Sequence, residues 1–312
     1  MSRLTRRLTG RSEEAEPQDR DEVWEAIQLA RHQDRPYPLD YIDRLMTDFE
    51  EIHGDRLFSD DPALVCGIGR YHGRPVAVIG HQKGRDTNER TYRNFGMPGP
   101  EGYRKGMRLM ELAEKFDLDL VTLIDTPGAY PGAGAEERGQ GGAIARSMQT
   151  MLRLRPPTVA VVIGEGSSGG ALALGVADRV VMLENTTYSV ISPEGGSAIL
   201  WRDAGKARDA AAAFKPTASN CYRWGVADAV VPEPAEGAHA DADEAARLLD
   251  AYLERTLREL RRVDVGQRLA RRKERFRRIG TFREGPHEGQ VPLADPPADS
   301  ASETSNGQPP AS

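Results

Sequence analysis

Cysteine is almost missing from this chain: Cys66 and Cys221 are the only two among 312 residues, and they stand far apart. Two isolated thiols exclude a zinc knuckle and a disulfide framework. Aromatic residues are scarce at 6% and hydrophobic residues reach only 38%. That is little for a globule ordered from end to end, so polar tails around a compact middle are expected. No apolar run approaches the ~20 residues of a membrane span, and the opening MSRLTRRLTGRSEEAEPQDR has no apolar core of the signal-peptide kind. Positive charge is in slight deficit: 42 Lys and Arg against 48 Asp and Glu leave −6, which argues against general nucleic-acid binding. A soluble cytoplasmic enzyme, of one large domain or two small ones, fits these absences.

What is present is organised. A polar leader is expected over 1–21, a main domain over 22–262, a basic C-terminal helix over 263–284 and a disordered tail over 285–312. Within the main domain, ALVCGIGRY (63–71) and RPVAVIGHQ (74–82) read as a hairpin turning on His72-Gly73. EGYRKGMRLMELAEKF (101–116) and AIARSMQTMLRL (143–154) have helical spacing. LVTLIDT (120–126), TVAVVIG (158–164) and RVVML (179–183) read as buried strands, and residues 242–262 as an amphipathic helix. Strand–turn–helix units in this order predict an α/β architecture with ligands at the carboxyl ends of the strands. The arginines of 261–278 read as an exposed terminal helix rather than an RNA-binding segment.

Three glycine-rich segments carry the candidate chemistry. In GEGSSGGALALG (164–175) a strand is expected to end at Gly164 and a helix to begin near Gly169. Unpaired amides at a helix start, with no Cβ in the way, make Gly169 and Gly170 candidates for an oxyanion hole; the competing reading is that these glycines only allow close helix–strand packing. Gly166, Ser168 and Gly170 also match the G-x-S-x-G elbow of serine hydrolases. Only His239 and His287 follow it, one in an acidic stretch and one in the tail, and neither makes a convincing base. In IDTPGAYPGAGAEERGQ (124–140) a strand leads into a loop with two prolines, suited to wrapping a ligand. It is not a P-loop, since no Lys-Ser or Lys-Thr follows the last glycine. Glu136 and Glu137 read as first-turn helix residues. In YSVISPEGGSAILW (188–201), Glu194 is either a general base or a helix-start carboxylate.

GHQKGR, RNFGMP-x-PEGYRK, IDTPGAYPG-x-GAEERGQ, VIGEG-x-SGGALA-x-GV and YSVISPEG followed by ILW, in this order over about residues 24–234, resemble the signatures of acetyl-CoA carboxylase carboxyltransferase alpha subunits. The resemblance implies a crotonase-like (ClpP/crotonase) ββα spiral. It implies transfer of CO2 from carboxybiotin, held on a separate biotin carboxyl carrier protein, to acetyl-CoA, giving malonyl-CoA for fatty-acid synthesis. It also implies a carboxyltransferase beta subunit as partner, as alpha2beta2, with this chain on the biotin side of the site and the beta subunit mostly on the acetyl-CoA side. The family's glycine pair, whose amides polarise the carboxybiotin carbonyl, falls on Gly169 and Gly170. Gly128, Ala129, Tyr130, Pro131, Gly132, Gly166, Pro193, Glu194 and Gly195 form the expected substrate-binding set around it.

In such enzymes the biotin enolate left after CO2 release can take the methyl proton of acetyl-CoA, so neither a protein base nor a metal is expected here. No Met-Lys-Met sequence for biotin attachment is present, and ATP belongs to the biotin carboxylase component. Lys83, Arg85, Arg90, Arg93, Arg104 and Lys105 stand as either contacts to CoA phosphates or a solvated charged face. The chain departs from the family at Gly196, where Cys is usual after Pro-Glu-Gly. Gly141-Gly142 replaces a more polar pair, Ser167 stands where glycine is common, and the N-terminal extension is shorter and more polar than in many members. Two other readings compete: the half-site of another biotin-dependent acyl-CoA carboxylase or decarboxylase, and a non-catalytic assembly subunit.

Overall fold

The computed structural model describes residues 20–280. The expected tail over 285–312 and nearly all of the polar leader lie outside the described residues, as does His287. The described strands are β1 (Thr47–Glu51), β2 (Leu64–Tyr71), β3 (Arg74–His81), β4 (Asp119–Thr126), β5 (Thr158–Ser167), β6 (Arg179–Leu183), β7 (Thr187–Ser189) and β8 (Ala229–Val231). The helices are α1 (Arg20–Ala30), α2 (Pro38–Leu45), α3 (Thr87–Tyr92), α4 (Pro100–Phe116), α5 (Ala133–Glu137), α6 (Gln140–Arg153), α7 (Ser168–Leu172), α8 (Pro193–Trp201), α9 (Ala207–Phe214), α10 (Ala218–Arg223), α11 (Ala242–Arg261) and α12 (Val265–Arg277). The sheet runs in the order β1-β2-β3-β4-β5-β6-β8, with β7 paired to the far end of β5. β2 and β3 form the expected antiparallel hairpin, whose turn residues His72 and Gly73 have φ of 47° and 75°. From β3 onward the pairing is parallel.

The apolar runs of the sequence are explained by burial on both faces of this sheet. Along β5, Val159, Val161 and Ile163 face one side with Tyr41 and Ile42 of α2 and Leu249, Leu253 and Leu257 of α11. Ala160 and Val162 face the other, against Leu109 and Met110 of α4 and Met151 of α6. The period-two pleat thus divides one continuous apolar segment between two helical layers. α11 starts where its cap dictates: the Asp241 carboxylate accepts the Glu244 amide at 2.9 Å.

Two expectations need correction. The strand expected to end at Gly164 continues to Ser167, because Glu165, Gly166 and Ser167 pair with Thr187, Tyr188 and Ser189 of β7. The following helix is only the five residues of α7, too short for a substantial dipole. The basic C-terminal helix is also not an exposed appendage. Arg272 of α12 is fully buried and Arg268 nearly so. Arg272 grips Asp178 through Nε at 2.8 Å and Nη2 at 2.6 Å, and its Nη1 donates to the Met151 and Leu154 carbonyls that end α6. The sequence marked this segment as a basic helix; the Asp178 carboxylate and the carbonyls at the end of α6 explain why Arg272 points inward.

Candidate active site

Because β3, β4 and β5 are parallel, His81, Thr126 and Ser167 end along one edge of the sheet. The loop after β4 and the turn after β5 meet there. Thr126 Oγ1 donates to the Gly128 carbonyl at 2.7 Å and accepts the Gly128 amide at 3.0 Å, which fixes the start of the loop. Gly128 itself has φ of 148°, a conformation open in practice only to glycine. The Tyr130 amide donates to the Pro98 carbonyl at 3.0 Å, and buried Gln140 donates to the carbonyls of Pro98 and Tyr130 at 2.9 and 3.1 Å.

The loop is thereby pressed onto Gly170. A Cβ at Gly170 would lie 2.6 Å from the Ala129 nitrogen and 2.6 Å from the Gly128 carbonyl carbon, both backbone atoms. Gly169 differs. It is half-buried, and a Cβ there would meet only the Ile144 side chain at 3.5 Å. The first amides of α7 cannot have intrahelical partners, and no loop or capping bond takes the Gly169 or Gly170 amide among the described residues. The two glycines therefore play different structural parts, one admitting the neighbouring loop and the other leaving backbone accessible. With so short a helix, individual N–H groups rather than a helix field would face a developing negative charge.

The other sequence candidates gather less tightly. The Tyr130 ring lies over Gly132, where a Cβ would meet its Cε1 at 2.5 Å, while Pro131 is exposed. Gly166 packs against Tyr188, Pro193 is buried at the start of α8, and the Gly195 amide donates to the Ser192 hydroxyl at 3.1 Å. Glu194 accepts from Arg31 at 2.7 Å. Burial alone would push the Glu194 carboxyl up, but Arg31 outweighs it and holds it below the usual glutamate range. It is an ionised pair member rather than a base near neutrality. At Gly196, where the family usually has Cys, the Phe214 ring fills the space a side chain would need, 2.4 Å from the Cβ position.

Most of the cations noted in the sequence have partners within the chain, and Arg85 among them is exposed. Lys83 pairs with Asp125, Arg85 with Asp40, Arg104 with Asp55 and Lys105 with Asp60, while Arg90 and Arg93 donate to the carbonyls of Gly84 and Pro62.

Sequence reasoning missed two features of this edge. One is the chain of charges from Asp125 to Glu194, signalled only by a carboxylate ending an apolar strand. The other is His81, fully buried beside the backbone of Gly170 and Leu123. Burial and then the Lys83 charge push its pKa down to about 3. The folded protein therefore resists protonating His81, whereas the unfolded chain takes up a proton below about pH 6.5. This group's contribution to stability is complete above that pH and is lost on acidification toward pH 3. It should cost about 1.5 kcal/mol between pH 6.5 and pH 5. Urea unfolding of wild type and His81→Gln at both pH values measures it, and equal pH dependence in the two proteins would refute it.

The elbow reading of Ser168 finds no base. Ser168 is exposed with φ of 55°, and no hydrogen bond joins it to a histidine among the described residues; His239 instead stacks on His32 at 3.9 Å. Ser168→Ala is expected to keep most of any acyl-CoA activity. A loss on the order of 10³-fold with a trapped acyl-serine would reinstate a nucleophile there.

A family profile described as acetyl co-enzyme A carboxylase carboxyltransferase-like matches residues 3–280. Among solved structures, a transcarboxylase 12S chain with methylmalonyl-coenzyme A bound superposes with a TM-score of 0.58 at 19% identity, over 89% of this chain. The match spans about half, 49%, of that transcarboxylase chain. A Pseudomonas malonate decarboxylase hetero-tetramer chain gives 0.56 at 21% identity, over 70% of this chain and 89% of that one. Fold and profile define a carboxyltransferase of the crotonase type, as the motifs implied.

The chain belongs to the acetyl-CoA carboxylase carboxyltransferase family. It is similar to acetyl-coenzyme A carboxylase carboxyl transferase subunit alpha of Anoxybacillus flavithermus, at 57% identity over 259 residues, covering 83% of this chain and 80% of that protein. The same subunit of Thioalkalivibrio sulfidiphilus is 56% identical over 263 residues, covering 84% and 82%.

Proposed function

We propose that this chain is the biotin-side half of an acetyl-CoA carboxylase carboxyltransferase. In this reading it acts with a beta subunit, as alpha2beta2, to move CO2 from carboxybiotin on a biotin carboxyl carrier protein to acetyl-CoA, forming malonyl-CoA. The carboxybiotin is made by a separate biotin carboxylase. The observation that carries the reading is the half-buried Gly169 amide, without a hydrogen-bond partner or a Cβ, beside a Gly170 locked under the Gly128–Ala129 backbone. When bound, the ureido group of carboxybiotin supplies the labile carboxyl. Gly169 and Gly170 would direct N–H groups at the ureido oxygen, and negative charge there would be stabilised by fixed donors that need no reorganisation. The loop from Gly128 to Gly132, held by Thr126, Pro98 and Gln140, would orient the ring and exclude water. Gly166 would support the turn through Tyr188, and Pro193, Glu194 and Gly195 would form its outer wall.

No group of three or more His, Cys, Asp or Glu that could hold a metal occurs among the described residues, and none of their helices is long and apolar enough to cross a membrane. The test is direct. Malonyl-CoA decarboxylation with biocytin is measured for this chain alone, for a beta subunit alone and for the mixture. Activity confined to the mixture supports the reading, and preference for another acyl-CoA moves it to a related carboxylase. Stoichiometric assembly without turnover would leave only a scaffolding role.

A further inference from the structure

Five charged side chains from five separate segments form a line beneath the site. Lys83 Nζ lies 2.7 Å from Asp125 Oδ1 and 3.0 Å from Glu165 Oε2. Arg31, just beyond α1, places Nε 2.6 Å from Glu165 Oε1 and Nη1 2.7 Å from Glu194 Oε1. The signs alternate along the line, from Asp125 at 1% side-chain exposure to Glu194 at 42%. The β4–β5 ladder slips at its inner end: Ile124 pairs with Val162, but Thr126 pairs with Gly166. The extra residues of β5 are accommodated by Asp125, which accepts the Glu165 amide at 2.9 Å. A Cβ at Gly164 would lie 2.4 Å from the same carboxylate oxygen. This slip determines how far the Gly166–Gly170 turn advances beside the loop at Gly128 and Ala129.

We propose that Lys83, Asp125, Glu165 and Arg31 are positioning residues that hold the two amide-bearing segments in register through alternating charge, with Lys83 as the central tie. The proposal rests on the carboxyltransferase reading above. Lys83 lies within ion-pair distance of two buried carboxylates, Asp125 and Glu165. Burial pushes the Asp125 carboxyl up, only partly offset by Lys83. Burial also acts to raise Glu165, but Lys83 and Arg31 outweigh it and hold that carboxyl low. Without the ammonium, two close buried carboxylates cannot both stay charged, and one takes a proton or moves away. The other groups that act on these side chains are Arg35, paired with Glu233, Tyr37, Tyr41 and the neutral His81.

The experiment uses the complex with its beta subunit and biocytin-dependent malonyl-CoA decarboxylation. Lys83→Met should lower kcat by at least about tenfold, within the ~10² that a 1 Å misplacement can cost, with KM for malonyl-CoA nearly unchanged. Its residual kcat should rise as pH falls, since protonation removes the carboxylate repulsion. The double variant Lys83→Met/Asp125→Asn restores the wild-type charge of the line and should recover much of the rate and flatten the pH profile. Glu165→Gln covers the case in which Lys83→Met does not fold; it should lower kcat with the complex intact. Wild-type kcat and pH profile in the folded single variants overturn the tie and leave the functional reading standing. Lost assembly without rescue by the double variant shows a purely structural network and overturns it as well. A wild-type complex without turnover overturns the functional reading, and this role with it.

Discussion

Gly170→Val is expected to lower transcarboxylation by at least about two orders of magnitude, on the scale of the ~10²–10³ lost with one oxyanion donor. The first added carbon already falls 2.6 Å from backbone atoms of Ala129 and Gly128, and backbone cannot rotate aside as a side-chain tip can. The loop must move, although the Tyr130–Pro98 bond and the two Gln140 bonds hold it in place. Gly170→Ala should show much of the same loss. Gly169→Ala meets only Ile144 at 3.5 Å, so its fold should be untouched, and any loss of rate there reports obstruction of a ligand. Circular dichroism and co-purification with the beta subunit must accompany the rates. A Gly170→Val protein that assembles normally and turns over near the wild-type rate would show that the glycines serve packing alone.

The largest expected effect on stability lies away from that site. Arg272→Met should destabilise the fold by about 3–5 kcal/mol, because it leaves the Asp178 carboxylate buried without its bidentate partner. It also strips a donor from the Met151 and Leu154 carbonyls at the end of α6. For a unit of this size the midpoint of thermal unfolding should fall by on the order of 10 °C. Arg272→Lys should fall between the two, since an ammonium keeps the charge but not the planar fork. Calorimetry or thermal circular dichroism reads both. Below the transition, the rate per folded complex should be unchanged, which separates this residue from those at the sheet edge. A melting midpoint within about 2 °C of wild type for Arg272→Met would remove the case for a buried clamp.

Local chemistry alone determined the elements that repeat a simple pattern. The hairpin at His72-Gly73, the helix over Pro100–Phe116 and the strands ending at Thr126 and Leu183 stood within a residue or two of their observed bounds. In each, side-chain periodicity and turn residues act within a few positions of one another. The glycine-rich segments were visible for the same reason: absence of a Cβ is a property of the residue itself. What a glycine is for is not. Gly169 and Gly170 are identical neighbours in the sequence, and only the approach of Gly128 and Ala129, about forty positions earlier, makes one a close-packing site and leaves the other open.

The extension of β5 to Ser167 depended likewise on β7, which supplies the pairing partners, and α7 ends already at Leu172. The charged line from Asp125 to Glu194 and the inward arginines of α12 were beyond sequence reading for a related reason. A charge can be buried only where a distant partner and unpaired carbonyls already wait, and those arrive through the topology of the sheet rather than through any local run of residues.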